Sequence, residues 1–141
     1  MTVVDDLDEF ARTVFEGQKF SAHLEAKLGP VSAGKAEISI ELKEFHKQQH
    51  GFAHGGVVSY LADNSIAYAG GLAMGGNALV SEYKINYVRP GVGKTLVARA
   101  EAIAVGRSQA VCQSRVYGVA EDGTEKLCAI AQGTVVPAPD P

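Results

Sequence analysis

One segment restricts the fold more than any other: the stretch from Gly55 to about Ala73 is apolar on every side. Its sequence, GGVVSYLADNSIAYAGGLA, lacks the polar stripe of a surface helix. It is expected to form a helix of about 28 Å whose whole circumference is covered by the rest of the chain. Four glycines are predicted to unwind the helix at its end: Gly70, Gly71, Gly75 and Gly76.

The flanking segments alternate apolar and polar residues, as strands do when one face is wet. Strands are predicted at 21–28, 34–42, 77–88, 95–106, 109–120 and 125–136. Turn residues separate the last four: Pro90-Gly91, Gly106-Arg107 and Asp122-Gly123. A short amphipathic helix is predicted at 3–17. We therefore expect an α+β fold, with one antiparallel sheet of about six strands wrapped around one long buried helix.

Length and composition indicate one domain over residues 1–141, with its core at 20–136. The 141 residues are 46% hydrophobic and 21% charged, which are ordinary globular values. A net charge of −3 argues against nucleic acid as a partner. The amino-terminal segment is acidic, whereas a signal peptide begins with basic residues. Polar residues or glycine pairs interrupt every long apolar run, so no membrane span is expected. A cytoplasmic protein without a membrane partner is expected.

The two cysteines, Cys112 and Cys128, are too few for a disulfide scaffold. If residues 122–123 form a two-residue hairpin turn, Cys112 faces Gly133 and Cys128 faces Tyr117. The thiols would then be out of register. Both are predicted to be free and reduced.

Two motifs suggest ligands and are set aside. The segment 91–95, GVGKT, resembles the end of a P-loop, but Val88 stands where that motif requires glycine, and a strand pattern follows. His46, His50 and His54 would stack on one helical face and could bind a metal ion, but glycines interrupt the stretch. We predict no metal site and no cofactor.

Asp63 is the only formally charged residue between Lys47 and Glu82, and it lies in the middle of the predicted buried helix. An ionised carboxylate in an apolar setting is costly unless it is paired, and such groups cluster at active sites. Asp63 is therefore the leading candidate for catalysis. The structural alternative is a neutral carboxyl group, or a hydrogen bond to Ser59 one turn earlier.

His54, Gly55 and Gly56 open the same helix. Its first backbone N–H groups lack intrahelical partners, so they can hold a carbonyl oxygen that becomes an oxyanion; plain capping is the alternative. Gly55 and Asp63 are eight residues apart, about 12 Å along a helix. One subunit cannot easily supply both groups. Two antiparallel copies of the helix would bring them together, so we expect a site shared across a homodimer.

The sequence resembles a known family at these residues. Four motifs carry the resemblance: the pattern Gln48-x-x-Gly51-x-x-His54-Gly55-Gly56, the triplet Leu61-Ala62-Asp63, the strand 83–90 and the turn Gly106-Arg107-Ser108. They are similar to the hot-dog-fold acyl-CoA thioesterases of the phenylacetate-degradation-type branch of the 4-hydroxybenzoyl-CoA thioesterase superfamily. The resemblance implies the hot-dog fold and an acyl-CoA substrate. We also expect the homodimer to pair into a dimer of dimers, with the plain dimer as the alternative that the sequence leaves open.

The resemblance also implies roles for single residues. Asp63 would attack the thioester or activate water, and the Gly55 N–H would polarise the carbonyl group. His54 and Gln48 would position the carbonyl group or the water; Gln48 stands where many relatives carry Asn. Residues predicted to bind the acyl group or CoA are Asn64, Val80, Ser81, Arg89, Arg107 and Ser108. Arg107 is the first candidate for the CoA phosphates, because a net-negative protein needs local cations there.

Two other functions on the same fold stay open at this point. An enoyl-thioester hydratase or dehydratase would pair a histidine with an acid across a dimer, and a non-catalytic acyl-CoA sensor would keep the pocket without needing the lone acid. Apolar residues of the long helix either line an acyl pocket or belong to the core: Val57, Tyr60, Leu61, Ile66 and Tyr68.

Overall fold

The computed structural model describes residues 6–139. Two helices, α1 (Leu7–Glu16) and α2 (Lys19–His23), precede strands β1 (Ala26–Ser32) and β2 (Lys35–Glu41). A 3-10 turn, Glu44–His46, leads to the long helix α3 (Gly55–Met74). Four strands follow: β3 (Ala78–Tyr87), β4 (Thr95–Val105), β5 (Ala110–Val119) and β6 (Glu125–Pro137).

The six strands form one sheet in the order β1-β2-β4-β5-β6-β3, and every neighbouring pair is antiparallel. The helix α3 packs on one face of this sheet and contacts all six strands. At Gly70 the approach is so close that an added Cβ would lie 2.6 Å from Val135. The α+β prediction of a six-stranded antiparallel sheet around one long helix is confirmed. The sheet has two edges, β1 and β3, and β3 borders the site described below.

The boundaries near the amino terminus differ from the prediction. The strand predicted at 21–28 is wrong in its first half, because Lys19–His23 is helical and β1 begins at Ala26. The helix predicted at 3–17 is found at Leu7–Glu16, where Asp6 caps it; positions 3–5 lie outside the described residues. Short polar helices carry little periodic signal, so alternation alone misplaced the first strand.

The end of α3 also differs. Gly70 and Gly71 do not unwind the helix; both are buried within it, where their lack of a side chain allows close packing. The helix ends at Gly75, which adopts the left-handed conformation with φ of 85° and caps it.

The register prediction for the cysteines is half correct. Cys112 pairs with Gly133 as expected, but Tyr117 pairs with Leu127 instead of Cys128, because the turn after β5 is longer than two residues and the ladder returns to the expected register only at Val116. Both thiols are free and buried, and burial raises the pKa of Cys112 to about 11. Among residues 6–139, no helix combines the length and apolarity needed to cross a membrane.

Candidate active site

His54 organises the amino-terminal end of α3. Its backbone is extended, with φ of −62° and ψ of 138°, and its Nδ1 accepts a hydrogen bond of 2.8 Å from the Gly56 N–H. The backbone carbonyl of His54 accepts from the N–H groups of Val57 and Val58. Three of the four initial donors are thus satisfied. The Gly55 N–H has no acceptor within residues 6–139, so it is available to a ligand.

A cleft of about 340 Å³ opens in front of this end of the helix. Gln48, Gly55 and Arg89 line it together, so the structure gathers three of the predicted site residues. The hydroxyl of Tyr87 donates to the Gly55 carbonyl oxygen over 3.2 Å and holds this turn against β3. The Gln48 side chain accepts from the backbone N–H of His50.

Asp63 lies on α3 but is less buried than predicted. Its side chain is half-buried and has no hydrogen-bond or ion-pair partner among the described residues. The alternative partner, Ser59, is bonded instead to the hydroxyl of Tyr83. Desolvation raises the pKa of the Asp63 carboxyl above its ordinary value of 3.8. An unpartnered carboxylate that is half-buried and reachable can act as a base or a nucleophile.

The edge strand β3 runs alongside the accessible face of α3. Tyr87 meets Gly55 and Tyr83 meets Ser59, so the two elements run antiparallel. Val80, three residues before Tyr83, then lies about 10 Å further along the strand, beside the turns of α3 that follow Ser59. The Asp63 face of the helix therefore borders an open sheet edge.

The predicted pocket residues on β3 differ in what they contact. Val80 is half-buried against the core, and Ser81 sits at an irregularity between Val80 and Glu82. The Ser81 hydroxyl donates to the backbone carbonyl of Thr134 over 3.2 Å. Both residues lie on the part of β3 that runs alongside the Asp63 turn of α3.

Asn64 is buried and turns toward the helices α1 and α2. Its side-chain amide donates to the Gln18 side chain over 2.8 Å and to the Tyr60 hydroxyl over 3.2 Å. Within one chain, Asn64 is therefore part of a different surface from the cleft at Gly55.

Arg107 and Ser108 lie far from Gly55 in the same chain. They form the turn after β4, and Val105, at the end of β4, shares a surface depression with Ala73 at the carboxyl end of α3. Gly55 is at the opposite end of α3, about 27 Å away along the axis. Arg89 is the predicted cation that shares the cleft with Gly55, and one of its guanidinium N–H groups bonds to the Leu127 carbonyl.

His46 has a structural role in the segment that precedes α3. It is buried, Nδ1 accepts from the Lys43 N–H, and Nε2 contacts the Leu24 carbonyl oxygen over 2.8 Å. His54, by contrast, is exposed and caps α3. The two histidines therefore have separate contacts.

Sequence reasoning assigned no role to the tyrosines that join β3 to α3. Tyr83 and Tyr87 are four residues apart on the strand and face the helix. The two-residue period of β3 was the signal that could have placed them there. Predicting their contacts would also have required knowing how β3 is positioned along α3. An alternating pattern of apolar and polar residues does not give that position.

Comparison with known proteins gives the family of the chain. Residues 50–125 match the family model described as the thioesterase superfamily. A 1,4-dihydroxy-2-naphthoyl-CoA hydrolase of Listeria monocytogenes is 30% identical over 107 residues, which cover 74% of this chain and 84% of that protein.

Solved structures show the same relationship. A thioesterase family protein from Silicibacter pomeroyi superposes with a TM-score of 0.87 at 28% identity, covering 93% of this chain and 97% of that one. A mutant of the phenylacetic acid degradation protein PaaI from Thermus thermophilus gives a TM-score of 0.74 at 33% identity, covering 86% of this chain and 100% of that one. The chain therefore belongs to the thioesterase superfamily and has the hot-dog fold of its phenylacetate-degradation-type members.

Proposed function

We propose that this protein hydrolyses an acyl- or aryl-acyl-CoA thioester to a free acid and CoA, in a site that two subunits share. The observation that carries the proposal is that one helix holds both a Gly55 N–H without an acceptor and an Asp63 carboxyl without a partner among the described residues. These are the two groups that thioester hydrolysis requires, yet they lie about 12 Å apart in one chain. The name of the Listeria relative supports an aromatic acyl-CoA as one candidate substrate.

The position of the open edge strand β3 beside α3 supports the shared site. The hydroxyl contact places Ser59 beside Tyr83, close to the middle of β3. If two copies pair symmetrically along β3, the two-fold axis passes near Ser59, and facing helix residues have numbers that sum to about 118. Gly55 of one subunit then lies opposite Asp63 of the other. Leu79 on β3 is 55% exposed, which fits an edge that a second copy covers.

The chemistry follows from these groups. The Gly55 N–H, at the positive end of α3, donates to the thioester oxygen as negative charge develops there. Asp63 either adds to the carbonyl carbon directly or takes a proton from the water that adds. Collapse of the tetrahedral intermediate breaks the C–S bond and releases the CoA thiolate. Because Nδ1 of His54 accepts from Gly56, its neutral ring carries its proton on Nε2 and can donate from there.

A panel assay tests the reaction class. The protein is incubated with acyl-CoAs of increasing chain length and with aromatic acyl-CoAs, and a thiol-reactive dye reports free CoA. We expect CoA release in proportion to free acid. Hydration of an enoyl-CoA without CoA release, or binding without turnover, would contradict the proposal.

The CoA end gives a first prediction. Arg107→Ala is expected to raise KM for acyl-CoA about tenfold, since a guanidinium–phosphate contact is charge-assisted. The same variant should leave KM unchanged for a pantetheine thioester, which lacks the nucleotide. Arg89→Ala is the comparison, because Arg89 lines the cleft directly. Equal losses on both thioesters would remove Arg107 from the phosphate site.

The acid limb of the pH profile gives a second prediction. Only ionised Asp63 can act, and desolvation raises its pKa, so kcat/KM should fall as the pH drops through a value above 3.8. Circular dichroism at each pH separates this loss from acid unfolding. A folded enzyme that keeps full kcat/KM down to pH 3.8 would show that the carboxylate is not the active form.

A further inference from the structure

The face of α3 that borders β3 carries three residues in line: Gly55, Ser59 and Asp63. They are spaced four residues apart, so each lies about 6 Å beyond the last along the helix axis. The tyrosines of β3 bond to the first two, Tyr87 to Gly55 and Tyr83 to Ser59. Asp63, the third, has no hydrogen-bond or ion-pair partner within residues 6–139.

The Ser59 hydroxyl is the natural donor to Asp63 within the chain. Side chains four residues apart on a helix are neighbours, and each leans toward the amino-terminal end, so the Asp63 carboxyl leans over Ser59. A hydroxyl that donates to a carboxylate stabilises its charged form. Such a bond would make the carboxylate a weaker base and a weaker nucleophile.

The structure directs the Ser59 hydroxyl to Tyr83 instead. This bond holds its oxygen toward β3, and Ser59 and Asp63 share no hydrogen bond. The other acceptor that a helical serine can reach is the carbonyl four residues earlier, here that of Gly55. That carbonyl already accepts from the Tyr87 hydroxyl over 3.2 Å and from the helical N–H of Ser59, so both of its lone pairs are used. If the Tyr83 hydroxyl were absent, Asp63 would be the acceptor left to Ser59 within the chain.

The charged residues that flank Tyr83 on β3 do not face Asp63. Side chains alternate along a strand, so Glu82 and Lys84 point to the face of the sheet away from α3. On that face the Glu82 carboxyl accepts from the Thr134 hydroxyl. Tyr83 is therefore the titratable group that this part of β3 turns toward the helix.

Other neighbours leave the carboxyl free as well. On α3 itself, the Tyr60 hydroxyl lies three residues before Asp63 and is bonded to Ser21 and Asn64. Under the proposed pairing, the partner subunit's His54 approaches from the other side, next to the N–H that holds the substrate. Burial is the cause that raises the pKa of Asp63, and no charged side chain contributes to it. Ser59 is thus the group in the chain whose placement decides whether the carboxylate is hydrogen-bonded.

We propose that Tyr83 is a positioning residue: its hydroxyl holds the Ser59 hydroxyl away from Asp63 and so keeps the reacting carboxylate without a hydrogen-bond partner. The inference rests on the proposed thioesterase function and adds to it the residue that sets the reactivity of the carboxylate. Tyr83 acts through Ser59, the one side chain to which its hydroxyl is bonded among the described residues.

Tyr83→Phe tests the hydroxyl, because the ring keeps its shape. The released Ser59 hydroxyl should donate to Asp63, and kcat should fall about tenfold, since a bond to a charged group must break before the carboxylate reacts. KM should stay within about twofold. The acid limb of kcat/KM should move to lower pH, because the new bond favours the ionised carboxyl. A loss of packing alone would not move that limb.

Adding Ser59→Ala to Tyr83→Phe removes the released donor. This double variant should regain kcat to within about twofold of the unmodified enzyme, and its acid limb should return. Tyr117→Phe is the matched control, because the Tyr117 ring lies 5.2 Å from the Arg99 guanidinium on the sheet and is absent from the cleft. It should keep both kcat and the acid limb. An unchanged kcat in folded Tyr83→Phe, or a loss that Ser59→Ala does not restore, would overturn the assignment.

A carbon-13 NMR titration of the Asp63 carboxyl tests the same contact without catalysis. The resonance is assigned by its loss in Asp63→Asn. Asp63 should titrate at lower pH in Tyr83→Phe than in the unmodified protein, and it should return when Ser59→Ala is added. The same titration in all three proteins would overturn the role of Tyr83. A protein that hydrolyses no acyl-CoA but shows these shifts would overturn the proposed function and leave the contact established.

Discussion

Asp63→Asn is expected to lower kcat by about 100-fold or more while the protein stays folded. The amide keeps the shape of the carboxyl group but can neither accept a proton from water nor add to a carbonyl carbon. The measurement is steady-state CoA release on the best substrate from the panel. Asp122→Asn is the matched control, because Asp122 lies in the exposed turn between β5 and β6, away from the cleft.

Stability provides the second readout for this variant. The folded-state pKa of Asp63 is raised, so the folded protein favours the neutral carboxyl, and the penalty for charge is fully present only above that pKa. At neutral pH the Asn variant should therefore unfold at the same or a higher denaturant concentration. Full activity in a folded Asp63→Asn protein would exclude the carboxylate as the reacting group.

Mixing two inactive variants is expected to restore activity. One carries Asp63→Asn, and the other carries Gly55→Pro, which removes the free N–H of the first residue of α3. Proline is well tolerated at that helical position, and the extended backbone of His54 is the conformation that a residue before proline prefers. Both proteins should therefore fold, which circular dichroism checks before mixing.

The expected recovery follows from the pairing. At equal mixing with random exchange, about half of the dimers contain one chain of each kind, and one of their two sites carries neither defect. Activity should approach about a quarter of the unmodified level per site. If each chain used its own Asp63, every site would keep one defect. Heterodimers that are verified by mass and stay inactive would therefore rule out a shared site.

The long helix and the sheet that covers it could be predicted because their signals are local. The segment from Gly55 onward is apolar all round, and the strands after it alternate with turn residues between them. The first strand was misplaced because Lys19–His23 is a helix of five residues, too short to show a helical period. The pairing of Cys128 was wrong because the turn between β5 and β6 is longer than the assumed two residues: the Ala120 N–H donates to the Thr124 carbonyl oxygen. The pairs next to this turn are therefore shifted by one residue, and the irregularity after Val116 restores the predicted register at Cys112.

The candidate site was predictable where a residue type is unusual for its place. Asp63 stood out as a lone charge, and Gly55 stood out as a helix start without a side chain. The half-buried state of Asp63 was not predictable, because exposure depends on which face of α3 the sheet leaves open. The buried hydroxyl of Tyr68, which has no hydrogen-bond partner within residues 6–139, was hidden for the same reason: a missing partner is visible only when the neighbours are placed.

The open edge of β3 has a consequence for the newly made chain. Until that edge is covered, its backbone N–H and C=O groups, together with the exposed side chain of Leu79, can pair with any extended segment that it meets. Correct pairing and aggregation therefore compete for the same strand during synthesis. Under the proposed pairing, the contact that completes the catalytic site is also the one that keeps the protein from aggregating, so weakening that edge would cost activity and solubility together.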